Sequence, residues 1–153
     1  MAKRVINGIA ELKEMVGQEI GVSDWVEVTQ ERIDLFAQAT GDNQWIHTDP
    51  ERCSRESPHK VPIAHGYLTI ALTPALVDEV LQINGVRMGV NYGMNKLRFT
   101  APVPVGSRIR VRVTLKGVRE IAGAIQTVTH LSVERDGQEK PCCLAETLSL
   151  YYL

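Results

Sequence analysis

Residues 63–81, IAHGYLTIALTPALVDEVL, leave a helix almost no polar side to turn towards water. Leu68, Ile70, Ala71, Leu72, Ala75, Leu76, Val77, Val80 and Leu81 surround its axis nearly all round, so the rest of the fold has to enclose it. The segment is too short, and too polar at its ends, to cross a membrane. Pro74 inside it predicts a kink or an offset, because the ring removes a backbone N–H and crowds the preceding turn. Gly85 marks the exit.

Downstream the period changes to two. In residues 107–115, Ile109, Val111, Val113 and Leu115 alternate with Arg108, Arg110, Arg112 and Thr114, the pattern of a half-buried strand. Gly89–Phe99, Ile125–Glu134 and Cys142–Tyr151 read as three more strands, with Asp136-Gly137 as a hairpin signal between the last two. Upstream, residues 8–16 form a short amphipathic helix candidate with Ile9, Leu12 and Val16 on one side, and Glu19 to Val28 looks extended. Helices and strands do not alternate. The expected class is therefore α+β, a mostly antiparallel sheet with one apolar helix packed against it. A chain of 153 residues suits a single domain, 1–153, with a real core.

Composition narrows the function. The chain is 44% hydrophobic and 23% charged, a globular balance without repeats or low-complexity segments. A net charge of -1 and the lack of any Lys/Arg run give no electrostatic footprint for nucleic acid. The N-terminus, MAKRVINGIAELKEMVGQ, has a charged start with no long apolar run behind it, so neither a signal peptide nor a membrane span is expected. Cys53, Cys142 and Cys143 are odd in number and two are adjacent, which is no disulfide framework and suits a reducing cytoplasm.

One helix is signalled from end to end. Thr29 is placed to cap it, Glu31 sits in the first turn where the dipole favours a carboxylate, and Val28 and Ile33 occupy staple positions. Ile33, Phe36, Ala37 and Thr40 share a face, and Gly41 supplies a left-handed stop. The helix thus delivers the chain to residues 39–50, ATGDNQWIHTDP. Asp42 and His47 are five residues apart; a continuing helix, at roughly 100° per residue, would set them some 140° apart. In a loop the same spacing brings both side chains onto one small molecule, with Trp45 and Ile46 anchoring the loop in apolar surroundings. A carboxylate beside an imidazole suits general acid–base chemistry. On residue types alone the bland reading stands beside it: Asp42 capping a turn and His47 a satisfied, half-buried histidine.

A second stretch, VPIAHGY at 61–67, opens the apolar helix. Pro62 restricts the approach and Gly66 exposes backbone at the first turn, where free N–H groups and a positive dipole end can hold an oxyanion such as a thioester enolate. Gly66 can equally serve close helix packing.

The blocks GDNQWIHTDP, PIAHGYLTIAL and NYGMNKLRFTAPVPVGS, in this order and spacing, resemble the MaoC-like dehydratases, or R-specific enoyl-CoA hydratases. The likeness is greatest to the single-hot-dog branch related to nodulation protein N, and it covers most of the chain. The resemblance implies a hot-dog fold, a sheet wrapped round a long central helix. It also implies reversible hydration of a trans-2-enoyl-CoA, or enoyl-acyl carrier protein, to the (R)-3-hydroxyacyl thioester. Gly41, Asp42, Ile46 and His47 match the family motif, while Gln44 stands where Asn is usual and Trp45 where Pro is usual. The catalytic pair carries over to Asp42 and His47, and the thioester-binding N–H to Gly66. No metal and no cofactor are implied, the CoA thioester being the substrate.

Other groups of residues have their own readings. His47, Asp49, His59 and His65 lack zinc-type spacing. The three cysteines have no evident activating partner and read as packing or surface residues. Asn91, Tyr92, Asn95, Lys96 and Arg98 make the strand after the central helix unusually polar. They read either as a solvated face or as a lining for the thioester tail, with Lys96 or Arg98 near a phosphate. His65, Gln44, Asn91, Tyr92 and Arg98 therefore join Gly66 as candidate substrate contacts. A hot-dog thioesterase and a non-catalytic acyl-thioester-binding protein are the alternative functions. One small sheet has a single face to offer an all-round apolar helix, so at least a homodimer is expected. No nucleic-acid or membrane partner is expected.

Overall fold

The computed structural model describes residues 2–153. In chain order its elements are β1 (Arg4–Asn7), α1 (Ile9–Glu14), β2 (Glu19–Val22), β3 (Val26–Glu27), α2 (Gln30–Thr40), α3 (Trp45–Thr48), α4 (Pro50–Glu56), α5 (Gly66–Val80), β4 (Leu81–Asn84), β5 (Met88–Phe99), β6 (Arg108–Ile121), β7 (Ala124–Arg135) and β8 (Cys143–Tyr152). The six-stranded antiparallel sheet runs β2-β6-β7-β8-β5, with β3 also paired to β6. It packs against α5, and an antiparallel sheet holding one long helix is the hot-dog architecture.

The alternation along β6 is used as its spacing implies. Ile109, Val111, Val113 and Leu115 are buried in one cluster with Leu68, Ile70, Leu76 and Val80 of α5 and with Leu131, Val133, Cys143 and Ala145 of β7 and β8. The intervening arginines turn outward. Arg110 and Arg112 clasp Glu134 at 2.7 and 2.9 Å, Arg112 also pairs with Glu19, and Arg110 lies 4.4 Å over the Trp25 ring. Burial therefore stabilises one face of β6 and charge solvates the other.

The structure departs from the pattern reading at several points. The long helix starts at Gly66, not Ile63, because the chain turns over residues 57–61 and residues 62–65 then form an extended strap. Pro74 stays inside α5, and the carbonyl of Ile70, which Pro74 leaves without an amide partner, accepts the Thr73 hydroxyl at 2.7 Å. The two-residue turn lies between β6 and β7 at Ala122-Gly123, since β6 continues past Leu115 to Ile121. The chain turns at Asp136-Gly137, but β7 and β8 are joined by residues 136–142. In α1 it is Leu12, with Met15 just beyond it, that is buried, while Val16 is exposed. β1 and β4 pair in parallel and are too short to show a period. α3 is a single turn, and α4 (PERCSRE) has Cys53 as its one apolar residue besides the first-turn proline and so shows no apolar face; both occupy what reads as loop.

The largest departure concerns α5 itself. Tyr67, Ala71, Pro74, Ala75 and Asp78, spaced for one side of a helix, are exposed in the single chain. Beside this stripe β5 ends the sheet with its outer edge unpaired, and Met88, Val90, Tyr92, Met94 and Phe99 are all exposed. One sheet covers only one side of an apolar helix.

Cys53, Cys142 and Cys143 are buried and free. Burial raises all three thiols, Cys142 to about 11 and Cys143 to about 12. Few thiolates form near neutrality, and thiolate is the reactive species. A colorimetric disulfide reagent at pH 8 should therefore find no fast-reacting thiol in the native protein and three after denaturation. A fast equivalent in the native protein would contradict this burial.

Candidate active site

The path to the site begins at the Thr29 cap, whose hydroxyl accepts from Arg32 N at 3.2 Å, and ends at Gly41, φ 80°, a left-handed turn. The Thr40 hydroxyl then accepts from Asp42 N at 3.3 Å. The Asp42 carboxylate, exposed, accepts from Gln44 N at 3.4 Å. One helical turn, α3, rotates the next polar group inward: His47 is 6% exposed, with Trp45 and Ile46 half-buried on either side. Gln30 Nε2 clamps α3 to α2, donating to the His47 carbonyl at 2.8 Å and to Asp34 at 2.9 Å. Asp49 caps α4, accepting from Arg52 N at 2.9 Å. Its spacing from His47 is thus a helix-start signal.

The strap supplies the other wall. Val105 N donates to the Pro62 carbonyl at 2.8 Å, Ile63 N to the Ile46 carbonyl at 3.0 Å, and Ala64 N to the Val103 carbonyl at 2.8 Å. The Ile63 carbonyl points to His47 Nδ1 at 2.6 Å. A carbonyl only accepts, so Nδ1 carries the hydrogen and Nε2 keeps its lone pair. His65 closes the group: its ring stacks on His47 with centroids 3.8 Å apart, and its Nε2 donates to the Asp42 backbone carbonyl at 2.9 Å. An Asp42 carboxylate oxygen and one ring nitrogen each of His47 and His65 lie within 4.8 Å of one another. Burial holds the His47 pKa below its ordinary 6.5, and His65 adds to that, while the Ile63 carbonyl and Asp42 oppose it. A buried imidazole with one free lone pair beside a carboxylate can move a proton near neutral pH.

The same three residues fit a metal ion poorly. Rings stacked at 25° send their in-plane lone pairs side by side and not towards one point.

The other candidate contacts are scattered. His65 is 2% exposed in the single chain, with the His47 and Phe36 rings against it, so it neighbours the pair from within the protein. Gln44 is exposed at the start of α3 without a side-chain cap bond. Gly66 begins α5, where the first amides have no partner within the helix. A Cβ there would lie 2.8 Å from Phe99 carbons, so close packing also needs this glycine. Arg98 precedes Phe99 in β5; Tyr92 is 61% exposed. Asn91 borders a cavity of about 450 Å³ between the second half of α5 and the sheet, walled by Thr73, Val77, Thr127, Thr129 and Tyr151. Asp42, His47 and Gly66 do not line that cavity. Gln30 and the Ile63 carbonyl, which hold His47 in place, carry no sequence signal.

The chain matches the MaoC like domain family over residues 11–136. It is 46% identical over 149 residues to 3-hydroxyacyl-thioester dehydratase Z of Mycobacterium tuberculosis, covering 97% of this chain and 98% of that protein. It is 40% identical over 145 residues to nodulation protein N of Rhizobium leguminosarum bv. viciae, covering 93% and 89%. Among solved structures, the unliganded R-hydratase PhaJ1 of Pseudomonas aeruginosa superposes with a TM-score of 0.69 at 25% identity, over 90% of this chain and 81% of the other.

The contact at Gly66 can be tested by itself. Gly66→Ala should lower stability by about 1 kcal/mol, at the low end for overpacking because the half-exposed Phe99 ring has room to move. Phe99→Leu in the same molecule should recover most of that loss, read as coupling in a denaturation cycle. Additive single effects would show that the ring is not what Gly66 accommodates.

Proposed function

The chain belongs to the family of MaoC-like dehydratases, and on that premise we propose that it hydrates trans-2-enoyl thioesters reversibly to (R)-3-hydroxyacyl thioesters, with Asp42 and His47 as the acid–base pair. The observation that carries the assignment of the pair is the 2.6 Å contact of His47 Nδ1 with the Ile63 carbonyl, which leaves Nε2 free to act as a base, while the Asp42 carboxylate lies within 4.8 Å of a His47 ring nitrogen. One water sits between them. His47 Nε2 takes a proton from it as the water oxygen bonds to C3 of the enoyl chain. Electron density moves through C2 to the thioester oxygen, where the Gly66 N–H at the positive end of α5 stabilises the enolate. The proton held by His47 is then delivered to C2 on the same face, so one water is added and nothing else is consumed. Asp42 orients the water and balances the transient imidazolium charge. The reaction so written needs neither metal nor redox cofactor, because the thioester carbonyl is the electron sink. The three unpaired thiols fit a reducing compartment, the cytoplasm.

The substrate thioester reaches the pair in a homodimer. The exposed stripe of α5 and the unpaired edge of β5 lie side by side, and a second copy related by a two-fold axis covers both at once. β5 with Asn91, Tyr92 and Arg98 then lies at the subunit boundary, where it can meet the thioester tail.

Purified protein given crotonyl-CoA and longer trans-2-enoyl-CoA should lose the enoyl absorbance without releasing thiol. Thiol release would mean a thioesterase, and neither change would mean a binding protein. Asp42→Asn and His47→Ala should each lower turnover by about a hundredfold or more while remaining folded. Protonation of His47 removes the base, so the acid limb of the rate profile should fall below pH 6.5, since the folded site keeps His47 neutral to lower pH than a free imidazole. A limb at or above that value would separate it from His47.

Light scattering at low micromolar concentration should report at least twice the 17.0 kDa of one chain. A fully active monomer would remove the shared boundary.

A further inference from the structure

His65 does work that neither the fold nor the acid–base reading requires of a histidine. It precedes α5 and is 2% exposed, yet it gives that helix no side-chain cap bond. One face of its ring stacks on His47, with centroids 3.8 Å apart, and the Phe36 ring lies against it with centroids 4.9 Å apart. Its Nε2–H reaches across 23 residues of sequence to the Asp42 backbone carbonyl, at 2.9 Å. Its Nδ1 is buried with no hydrogen-bond partner among the described residues. A buried, unpaired acceptor costs stability. A purely packing role would be met at lower cost by an apolar side chain of similar shape.

The donor explains the histidine. Asp42 sits in the exposed turn just after Gly41, a left-handed glycine with open space around it. The backbone and hydroxyl contacts of Asp42 within its own turn are at 3.3 and 3.4 Å. The bond from His65 ties that exposed turn to a buried anchor, and the anchor is the ring on which His47 rests. We infer that His65 is a positioning residue: through one donor and one stacked face it sets the Asp42 carboxylate and the His47 imidazole in register with each other. It touches no substrate and transfers no proton. The inference rests on the reading of Asp42 and His47 as the reacting pair. Misplacement of a reacting group by about 1 Å is enough to cost about a hundredfold in rate.

Two variants separate the donor from the ring. His65→Phe keeps a stacked ring and removes both the donor and the orphaned acceptor. His65→Gln loses the ring but places an amide N–H where Nε2 stands. Each is assayed beside Asp42→Asn and His47→Ala for steady-state hydration of enoyl-CoA and for thermal unfolding. The expected result is a folded His65→Phe protein with kcat lowered about ten- to a hundredfold, KM within about threefold of the parent, and kcat largely restored in His65→Gln. If His65→Phe does not fold, His65→Met, which also lacks the donor, takes its place. Parental kcat in the folded donor-less variant overturns the inference, as does a His65→Gln protein no better than that variant. In either case Asp42→Asn and His47→Ala still report on the pair separately: if they lose activity, only the role of His65 falls. If they keep it, the acid–base reading falls and the inference falls with it.

Discussion

Covering α5 is the constraint on which the rest of the molecule depends. A helix apolar on nearly every side has to be sequestered, and a single sheet can shield only the side it touches. The concave-facing residues of β6, β7 and β8 take Leu68, Ile70, Leu76 and Val80 into one core. The opposite stripe from Tyr67 to Asp78 stays exposed in the single chain. Because β5 also ends the sheet there, the unsatisfied helix side and the unsatisfied sheet edge coincide. One two-fold contact resolves both, which is the physical basis for reading the molecule as half of a larger unit.

The same helix decides where chemistry can occur. Its N-terminus must be approached by an extended strap, since Pro62 and the bonds to Val103 and Ile46 hold residues 62–64 out of the helix. A strap stitched on both sides has carbonyls left over, and the one at Ile63 fixes the His47 tautomer. α2 ends within reach of that point because Gly41 turns the chain left-handed. The proposed pair is thus held through backbone carbonyls: that of His47 by the Gln30 side-chain amide, that of Ile63 by His47 Nδ1, and that of Asp42 by His65. Cys142 and Cys143, which read in sequence as packing or surface residues, lie in the core, where burial suppresses their thiolates.

Much of this was legible from residue order. Thr29, Val28, Ile33 and Gly41 define α2 at both ends because caps and staples are local: each acts within a few residues and needs no tertiary partner. Alternation placed the inner face of β6 for a similar reason, a period of two that only a strand can use. The motif around Asp42 and His47 pointed to the pair proposed to react. Short elements escaped: α3, β1 and β4 span too few residues for any period to emerge, α4 has no apolar face to reveal one, and the start of α5 was misplaced because the apolar run continues into the strap.

What only the tertiary structure decided is what those residues face. His65 reads in sequence as a candidate substrate contact, whereas packing turns its ring onto His47 and its donor onto the Asp42 backbone. The exposed stripe of α5 was hidden by an apolar composition that predicts burial without saying on which side. Sequence carries the interactions whose partners lie within a turn or a strand period. Contacts across 16 or 23 residues, such as His47 to Ile63 and His65 to Asp42, exist only once the sheet has brought strap, helix end and turn together.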